Sequence, residues 1–389
     1  MFTFRSVAVP LVVGFVTACS PDFDAADAKR ETLTSGPGPS LTLLDSLTLQ
    51  ETDSLYIGKP EVGLTVDDSG MIYVADEFWN RVVRFKSDGS IDRVFGHAGD
   101  GPGEFRSLTA ATTVHDSMII QPTSARIKIF NRYTGDFMLE RRVQPSVMDQ
   151  ATVNGNDLLV ASFDFGTKRG LKVIPLLELL SPDSTQTDAG YASTLVEQPP
   201  EFAAYPGLIS SAGTTVAAWS DTLLIGYFGV GYVVRYNRMG RPLDTIVLPV
   251  RVRRGAGAKG RQVYAKGAKF DFPARVGSHS LLLRLWRLPN GSFLLWHEDN
   301  TATKRGANFL LSGTAYVSIL STDGSRACVD ARVPFPGSDW PRLTMHGDTL
   351  YALDQIASGA DSTRAQTIVR RYLVGTDRCS WIKTTSTPP

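Results

Sequence analysis

Four short β-rich runs, at residues 62–67, 71–76, 81–86 and 91–95, follow one another with only turn residues between them. Asp68-Ser69-Gly70, the turn at Asn80 and Ser87-Asp88-Gly89 separate the runs, and residues of these types reverse the chain between antiparallel strands. The segment therefore reads as one four-stranded antiparallel sheet. A single sheet of this kind cannot bury both of its faces, so further copies are expected to stack against it.

Anchoring on the second run finds five degenerate copies, at Met118-Ile119-Ile120, Asp157-Leu158-Leu159-Val160, Thr222-Leu223-Leu224-Ile225, Ser292-Phe293-Leu294-Leu295 and Thr349-Leu350-Tyr351-Ala352. Each follows a polar turn, and turns such as Tyr133-Thr134-Gly135-Asp136 and Thr322-Asp323-Gly324 precede a fourth run. The second runs fall roughly 40 to 70 residues apart, at or above the usual period of a propeller blade. The expected fold is all-β: a six-bladed β-propeller of four-stranded antiparallel blades over residues 41–389. Three inserts carry the excess length: residues 181–207, a Gly- and Arg-rich stretch at 250–279, and residues 299–314, read as a loop inside the fifth blade. Residues 41–49 alternate in the manner of a strand and are expected to pair with the last blade, closing the ring and removing its open edge. Helix-period segments are nearly absent, and residues 171–180 fit either a short helix or a buried strand.

The first copy resembles the NHL repeat, the blade unit of many six-bladed propellers. Gly63-Leu64-x-Val66-Asp67, Ile72-Tyr73-Val74-Ala75-Asp76, Asn80-Arg81-Val82 and the run Gly99-Asp100-Gly101-Pro102-Gly103-Glu104-Phe105 stand where that family's pattern puts such residues. The match is strong over residues 59–107 and weak elsewhere. It implies a propeller and leaves the activity open, because the family includes ligand-binding, protein-binding and lyase members. It also implies that an acid such as Asp76, and with it Asp354, holds the turn that follows it.

The first forty residues bear on location. Arg5 begins a weakly positive region, residues 7–16 form a short apolar core, and Val16-Thr17-Ala18-Cys19 ends it with small residues. Residues 1–18 are too short an apolar segment to span a bilayer and read as a signal peptide. Val-Thr-Ala-Cys resembles a bacterial lipobox, which implies lipidation of Cys19, and residues 19–40 form a polar tether. The place implied is the bacterial cell envelope, with Ser20 after the cysteine favouring the outer membrane. An ordinary secretory signal with an incidental Cys19 is the other reading. Cys328 and Cys379 remain. An oxidising compartment favours a disulfide between them, but both are expected near the start of outer strands on neighbouring blades, too far apart for one.

Candidate chemistry sits at strand ends. Alignment of the copies puts Asp76, Pro122, Ser162, Tyr227, His297 and Asp354 at corresponding positions near the end of the second strand. Asp76, Tyr227, His297 and Asp354 are thereby channel candidates, fit for metal binding or acid–base work. The chain has five histidines and no H-x-H or H-E-x-x-H pair, so neither a metal nor another cofactor is expected. The amidating lyases among the propellers hold zinc through histidines of several blades, whereas His115 and His346 fall in turns opposite His297. The gluconolactonase-like propellers use channel carboxylates and an asparagine, for which Asp76, Asp354 and Glu298 are loose candidates.

Basic loops point to a different site. Thr167-Lys168-Arg169-Gly170 and Thr303-Lys304-Arg305-Gly306 share a sequence, and the 250–279 insert carries Arg251, Arg253, Arg254, Lys259, Arg261, Lys266 and Lys269. Converging, they would make one face positive in a protein of net charge +1 and attract an anionic ligand. Solvated surface loops have the same composition. Phe78 and Trp79, with Tyr191, Phe202 and Tyr205 on another loop, add aromatic residues of the kind enriched at recognition sites, while Trp219, Trp286 and Trp296 are expected in the core. The export signal argues against nucleic acid as a partner. The reading favoured is a monomeric, membrane-tethered lipoprotein that binds a protein, a glycan or another anionic ligand; the alternative is a periplasmic hydrolase or lyase, lactonase-like, with a channel metal site.

Overall fold

The computed structural model describes residues 38–387 apart from 59, 61–62, 109–111, 117, 124–125, 143–146, 155–156, 164–168, 181–193, 196–213, 228–231, 256–261, 270, 306–307, 335–341 and 358–364. The signal segment, Cys19, most of the tether, Lys168, Tyr191, Phe202 and Tyr205 lie outside the described residues.

Strand β1 (Ser40–Thr48) comes first. The first sheet is β2 (Gly63–Val66), β3 (Ile72–Asp76), β4 (Arg81–Phe85) and β5 (Ile91–Phe95); the second is β6 (Thr113–His115), β7 (Met118–Pro122), β8 (Arg126–Asn131) and β9 (Phe137–Arg142). The third comprises β10 (Val147–Asn154), β11 (Asp157–Phe163), β12 (Arg169–Pro175) and β13 (Thr194–Leu195), with helix α1 (Leu176–Leu180) directly after β12. The fourth is β14 (Thr214–Trp219), β15 (Thr222–Tyr227), β16 (Tyr232–Tyr236) and β17 (Pro242–Val247). After helix α2 (Phe272–Gly277) the fifth contains β18 (Leu281–Arg287), β19 (Phe293–Arg305), β20 (Asn308–Leu320) and β21 (Arg326–Arg332). The last is β22 (Arg342–His346), β23 (Thr349–Ala357) and β24 (Ala365–Gly375), completed on its outer edge by β1.

Innermost strands pack in succession, β2 on β6, β6 on β10, β10 on β14 and β14 on β18, while β22 packs on β2. The fifth and sixth sheets meet through Leu294, Trp296 and Val317 against Leu343, Leu350 and Ala352. The sheets thus follow one another around a common axis, and the molecule is an all-β propeller of antiparallel blades. Five of the sheets are complete four-stranded blades. In the third, the outer strand is reduced to Thr194–Leu195, which lies within the 181–207 insert and pairs only with Gly170 and Leu171. Six four-stranded blades were expected; five complete blades and one reduced sheet are found.

The turns explain why these residues fold in this way. Asp67 Oδ1 accepts from the Ser69 and Met71 amides, and Asp88, Asn131, Asn237, Asn290 and Asp323 each accept from the amide two residues on. Such a side chain mimics the backbone of a turn and fixes the reversal locally. Gly70 and Gly89 then take φ of 76° and 84°, a region that costs other residues more. The alternating apolar residues of each strand fill the wedges between neighbouring sheets. Tyr73, Ala75, Val82 and Phe95 of the first pack against Ile119 and Phe130 of the second, and Phe105 of the connecting run fills the same wedge. Each fully buried side chain of this size contributes roughly 1.5–3 kcal/mol.

Two other expectations are corrected. Residues 299–314 are not a loop, since β19 and β20 stay paired from Phe293↔Leu320 out to Arg305↔Asn308 and form one long hairpin. Thr, Gly and Asn in that stretch weaken the strand signature, whereas the uninterrupted ladder pairs the backbone groups that face each other across the hairpin. Cys328 and Cys379 are bonded, with Cα atoms 5.5 Å apart. The separation expected from neighbouring blades does not arise because Cys379 is not on the outer strand of the sixth sheet; β1 occupies that place. The chain beyond β24 crosses back, β25 (Ile382–Lys383) pairing with β21 and β26 (Thr385–Thr387) with β17.

The bond closes a loop of 51 residues. Loop-closure entropy for that length corresponds to about 4 kcal/mol. Cys328→Ser/Cys379→Ser is expected to lose up to that amount in chemical denaturation, with the far-ultraviolet circular dichroism spectrum unchanged.

Candidate functional site

Antiparallel order puts the start of every first strand and the end of every second strand on the same face of the ring. On that face the four channel candidates do not meet. Each stands on a second strand, one strand outside the wall formed by β2, β6, β10, β14, β18 and β22. Asp76 is fully buried; its Oδ2 accepts from the Gly58 amide at 3.1 Å and lies 3.8 Å from Arg81 Nε. Asp354 Oδ2 accepts from Arg370 at 2.8 Å. The Tyr227 hydroxyl bonds that of Tyr236 at 2.8 Å within the fourth sheet. Burial, and then the charge of Arg253, hold the His297 imidazole well below its usual range, so it is neutral. The described residues contain no group of three or more His, Cys, Asp and Glu positioned for a metal.

Arg253 and Arg254 of the 250–279 insert are engaged within the protein. Asp330 Oδ2 gathers the backbone amides of Arg251, Val252 and Arg253, while its Oδ1 accepts from Arg253 Nε at 2.8 Å, both side chains being at most 1% exposed. The Arg254 amide is held by Asp299, and its guanidinium donates to Gly277 O at 2.6 Å. Asp271 caps α2 through the Ala274 amide. The insert is therefore clamped over the fifth blade, and Arg253 and Arg254 do not offer free charge to a ligand. Lys266, Lys269 and Lys304 are exposed; the side chains of Arg169 and Arg305 lie outside the described residues.

Phe78 and Trp79 sit at the β3–β4 reversal and are 61% and 38% exposed. Their rings meet edge to face at 4.9 Å, Tyr56 meets Trp79 edge-on at 5.5 Å, and the Arg81 guanidinium lies 5.5 Å from the Trp79 ring. Tyr56 also lines a cleft of about 230 Å³ with Glu51, Asp53, Gln366 and Thr367. A second cleft, about 310 Å³, lies over the second sheet, where Asp100 pairs with Arg106 and where Arg126 and Lys128 both pair with Glu140. Trp219 and Trp296 are buried as expected, and Trp286 is partly buried with its ring stacked on Trp296 at 6.3 Å.

At the seam between the fifth and sixth sheets lies a polar group that the sequence reading largely missed. Glu298 and Asn300 are fully buried, with the Asn300 side chain as the hydrogen-bonding neighbour of the Glu298 carboxyl. Burial pushes the Glu298 carboxyl up to about 8, against the pull of Arg342 and Asn300. Arg284 on β18 and Arg342 at the start of β22 complete the group. Glu298 alone was noted beforehand. The available signal was a charge inside an apolar run, Leu281-Leu282-Leu283-Arg284-Leu285-Trp286.

No known protein family matches the chain by sequence, and no curated protein does. Among solved structures, a member of the DUF4221 family from Bacteroides vulgatus superimposes with a TM-score of 0.54 at 10% identity, covering 91% of this chain and 99% of that one. A candidate exported protein from Bacteroides fragilis does so with a TM-score of 0.52 at 10% identity, covering 89% and 98%. At these identities the likeness is one of fold. The NHL resemblance of residues 59–107 rests on those residues alone.

Two expectations follow from the buried charges. An unfolded glutamate ionises in the ordinary range, while folded Glu298 keeps its proton until about pH 8, so the folded state holds the extra proton between these values. Stability therefore falls as pH rises through that window, by on the order of a few kcal/mol at most. Glu298→Gln, neutral at every pH, is expected to melt higher than the parent at about pH 9 and close to it at about pH 4, as read by thermal denaturation. Asp330→Ala strands the buried Arg253 guanidinium and is expected to cost about 3–5 kcal/mol in a denaturant titration.

Proposed function

We propose that this chain is an exported, membrane-tethered propeller that works as a binding module, taking a protein or glycan on the face that carries Phe78 and Trp79. The observation that carries this reading is that aromatic pair, exposed at a strand reversal yet fixed by edge contacts with Tyr56 and by Arg81. Rings held in place before binding lose little freedom on contact, and a Trp face stacks on sugars and on peptide side chains alike. The neighbouring cleft of about 230 Å³, lined by Glu51 and Asp53, supplies acceptors for hydroxyl or amino groups. Lys304, exposed at the β19–β20 reversal, is a secondary contact in this reading.

In the same proposal the six sheets act as six blades of one NHL-like ring, residues 1–18 direct export, and a lipid on Cys19 holds the ring at the outer membrane through residues 19–40. The likeness to a candidate exported protein of Bacteroides fragilis agrees with export.

The test compares the full chain with its Phe78→Ala/Trp79→Ala variant on a glycan array and in crosslinking to envelope extracts. The parent is expected to retain a defined glycan or protein that the variant binds about tenfold or more weakly, with an unchanged melting temperature because the rings are exposed. Equal retention by both would overturn this assignment of the face.

A further inference from the structure

The aromatic pair is one side of a polar cleft that two sheets build together. Residues 49–58 cross from the sixth sheet to the first. On the sixth, the Leu49 amide donates to Thr367 O at 2.9 Å and the Gln355 amide side chain to Ile57 O at 3.0 Å. On the first, the Gly58 amide donates to Asp76 at 3.1 Å and Arg81 to Tyr56 O at 2.7 Å. A Cβ at Gly58 would fall 2.8 Å from both Cβ and Cδ1 of Phe78, so the glycine lets that ring lie against the crossing segment. Two backbone bonds between Thr52 and Leu55 close a tight turn with Asp53 inside it. The segment is thus held at both ends, and Tyr56 links the cleft to the Trp79 ring.

Space and chemistry together select the occupant. The cleft runs between the crossing segment and the start of β24, with Glu51, Asp53 and Tyr56 on one side and Gln366 and Thr367 on the other. Its volume of about 230 Å³ admits one pyranose ring. A protein interface of ordinary size needs about 800 Å² from each partner and a core depleted of charge. Here Glu51, Asp53 and Glu77 stand within the two short segments that carry the rings. A saccharide needs the opposite arrangement: an aromatic surface for its C–H face, with strong acceptors beside it for its hydroxyls. A carboxylate has about four lone-pair sites, so Glu51 and Asp53 can accept from hydroxyls in addition to the partners they have within the protein. The exposed Gln366 amide both donates and accepts.

We propose that the ligand of this face is an uncharged saccharide, with one ring on the Phe78 and Trp79 surface and the next in the cleft, its hydroxyls donating to Glu51 and Asp53. This inference rests on the binding-module reading above and narrows it to one class of ligand. The same carboxylates repel uronic and phosphorylated sugars, which reverses the charge preference expected from the basic loops.

The test is isothermal calorimetry on the full chain with cellotriose, maltotriose and mannotriose as neutral probes and trigalacturonate as the acidic one. At least one neutral trisaccharide is expected to bind, and trigalacturonate to bind about tenfold more weakly or not at all. Gln366→Ala should weaken the neutral sugar about threefold or more. Asp53→Asn, which keeps the shape and removes the charge, should weaken the neutral sugar and narrow the gap to trigalacturonate, a change of selectivity that a loss of folding would not produce. Absence of binding by all three neutral probes at millimolar concentration would overturn the proposal, as would tighter binding of trigalacturonate than of any of them. Should a crosslinked protein then be lost with Phe78→Ala/Trp79→Ala, the binding face stands and only its ligand class falls; should neither sugar nor protein depend on the two rings, both readings fall.

Discussion

The pairing of β1 with β24 is the contact on which the propeller depends. Eight residue pairs, from Ser40↔Gly375 to Thr48↔Ile368, join the described start of the chain to its last blade. Arg371 grips Asp45 through two nitrogens, and Ser40 Oγ donates to Asp377 at 2.6 Å. Without β1 the sixth sheet would present β24 as an open edge, and an open edge invites pairing with another chain. Closure also sets cooperativity. Each wedge of core lies between two sheets, so release of the sixth would expose Leu353 and Val369 together with the Leu64 and Val74 surfaces of the first.

The other end of the chain reinforces this closure. After β24 it returns to the fifth and fourth sheets, adding β25 to β21 and β26 to β17, with Cys379 bonded to Cys328 on the way. The seam holding Glu298, Asn300, Arg284 and Arg342 lies between the fifth sheet, which β25 extends, and the sixth, which β1 completes. A polar group built on strands with both neighbours fixed holds its geometry better than one on a loop. The hairpin of β19 and β20 adds to this, since its ladder continues past the seam to Arg305 and Asn308.

What the sequence made legible follows from where the information is local. Asp67, Gly70, Asp88 and Gly89 specify two reversals within a few residues, so the first blade could be read strand by strand. The other copies kept enough of this chemistry to be found, as at Asn237 with Gly240 and Asp323 with Gly324. The path of the C-terminal tail could not be read, because β25 and β26 are two and three residues long and their partners lie far away in sequence. The disulfide was misjudged for that reason. The basic insert misled in another way. Composition shows the arginines but not Asp330, which lies 77 residues beyond Arg253 and turns it into an internal clamp. Phe78 and Trp79 were found as aromatic residues at a strand reversal; Arg284 and Arg342 needed the third dimension, since only ring closure and the β18 bulge bring them together.

The seam between the fifth and sixth sheets differs energetically from the rest of the molecule. Elsewhere, buried charges are matched: Arg253 by Asp330, Arg370 by Asp354, Arg132 by Asp67. A buried amide or carboxyl that is not fully paired costs about 1–3 kcal/mol. A chain selected for stability alone would place apolar residues at Arg284, Glu298 and Asn300, as it does at the adjoining Leu294, Val317 and Ala352.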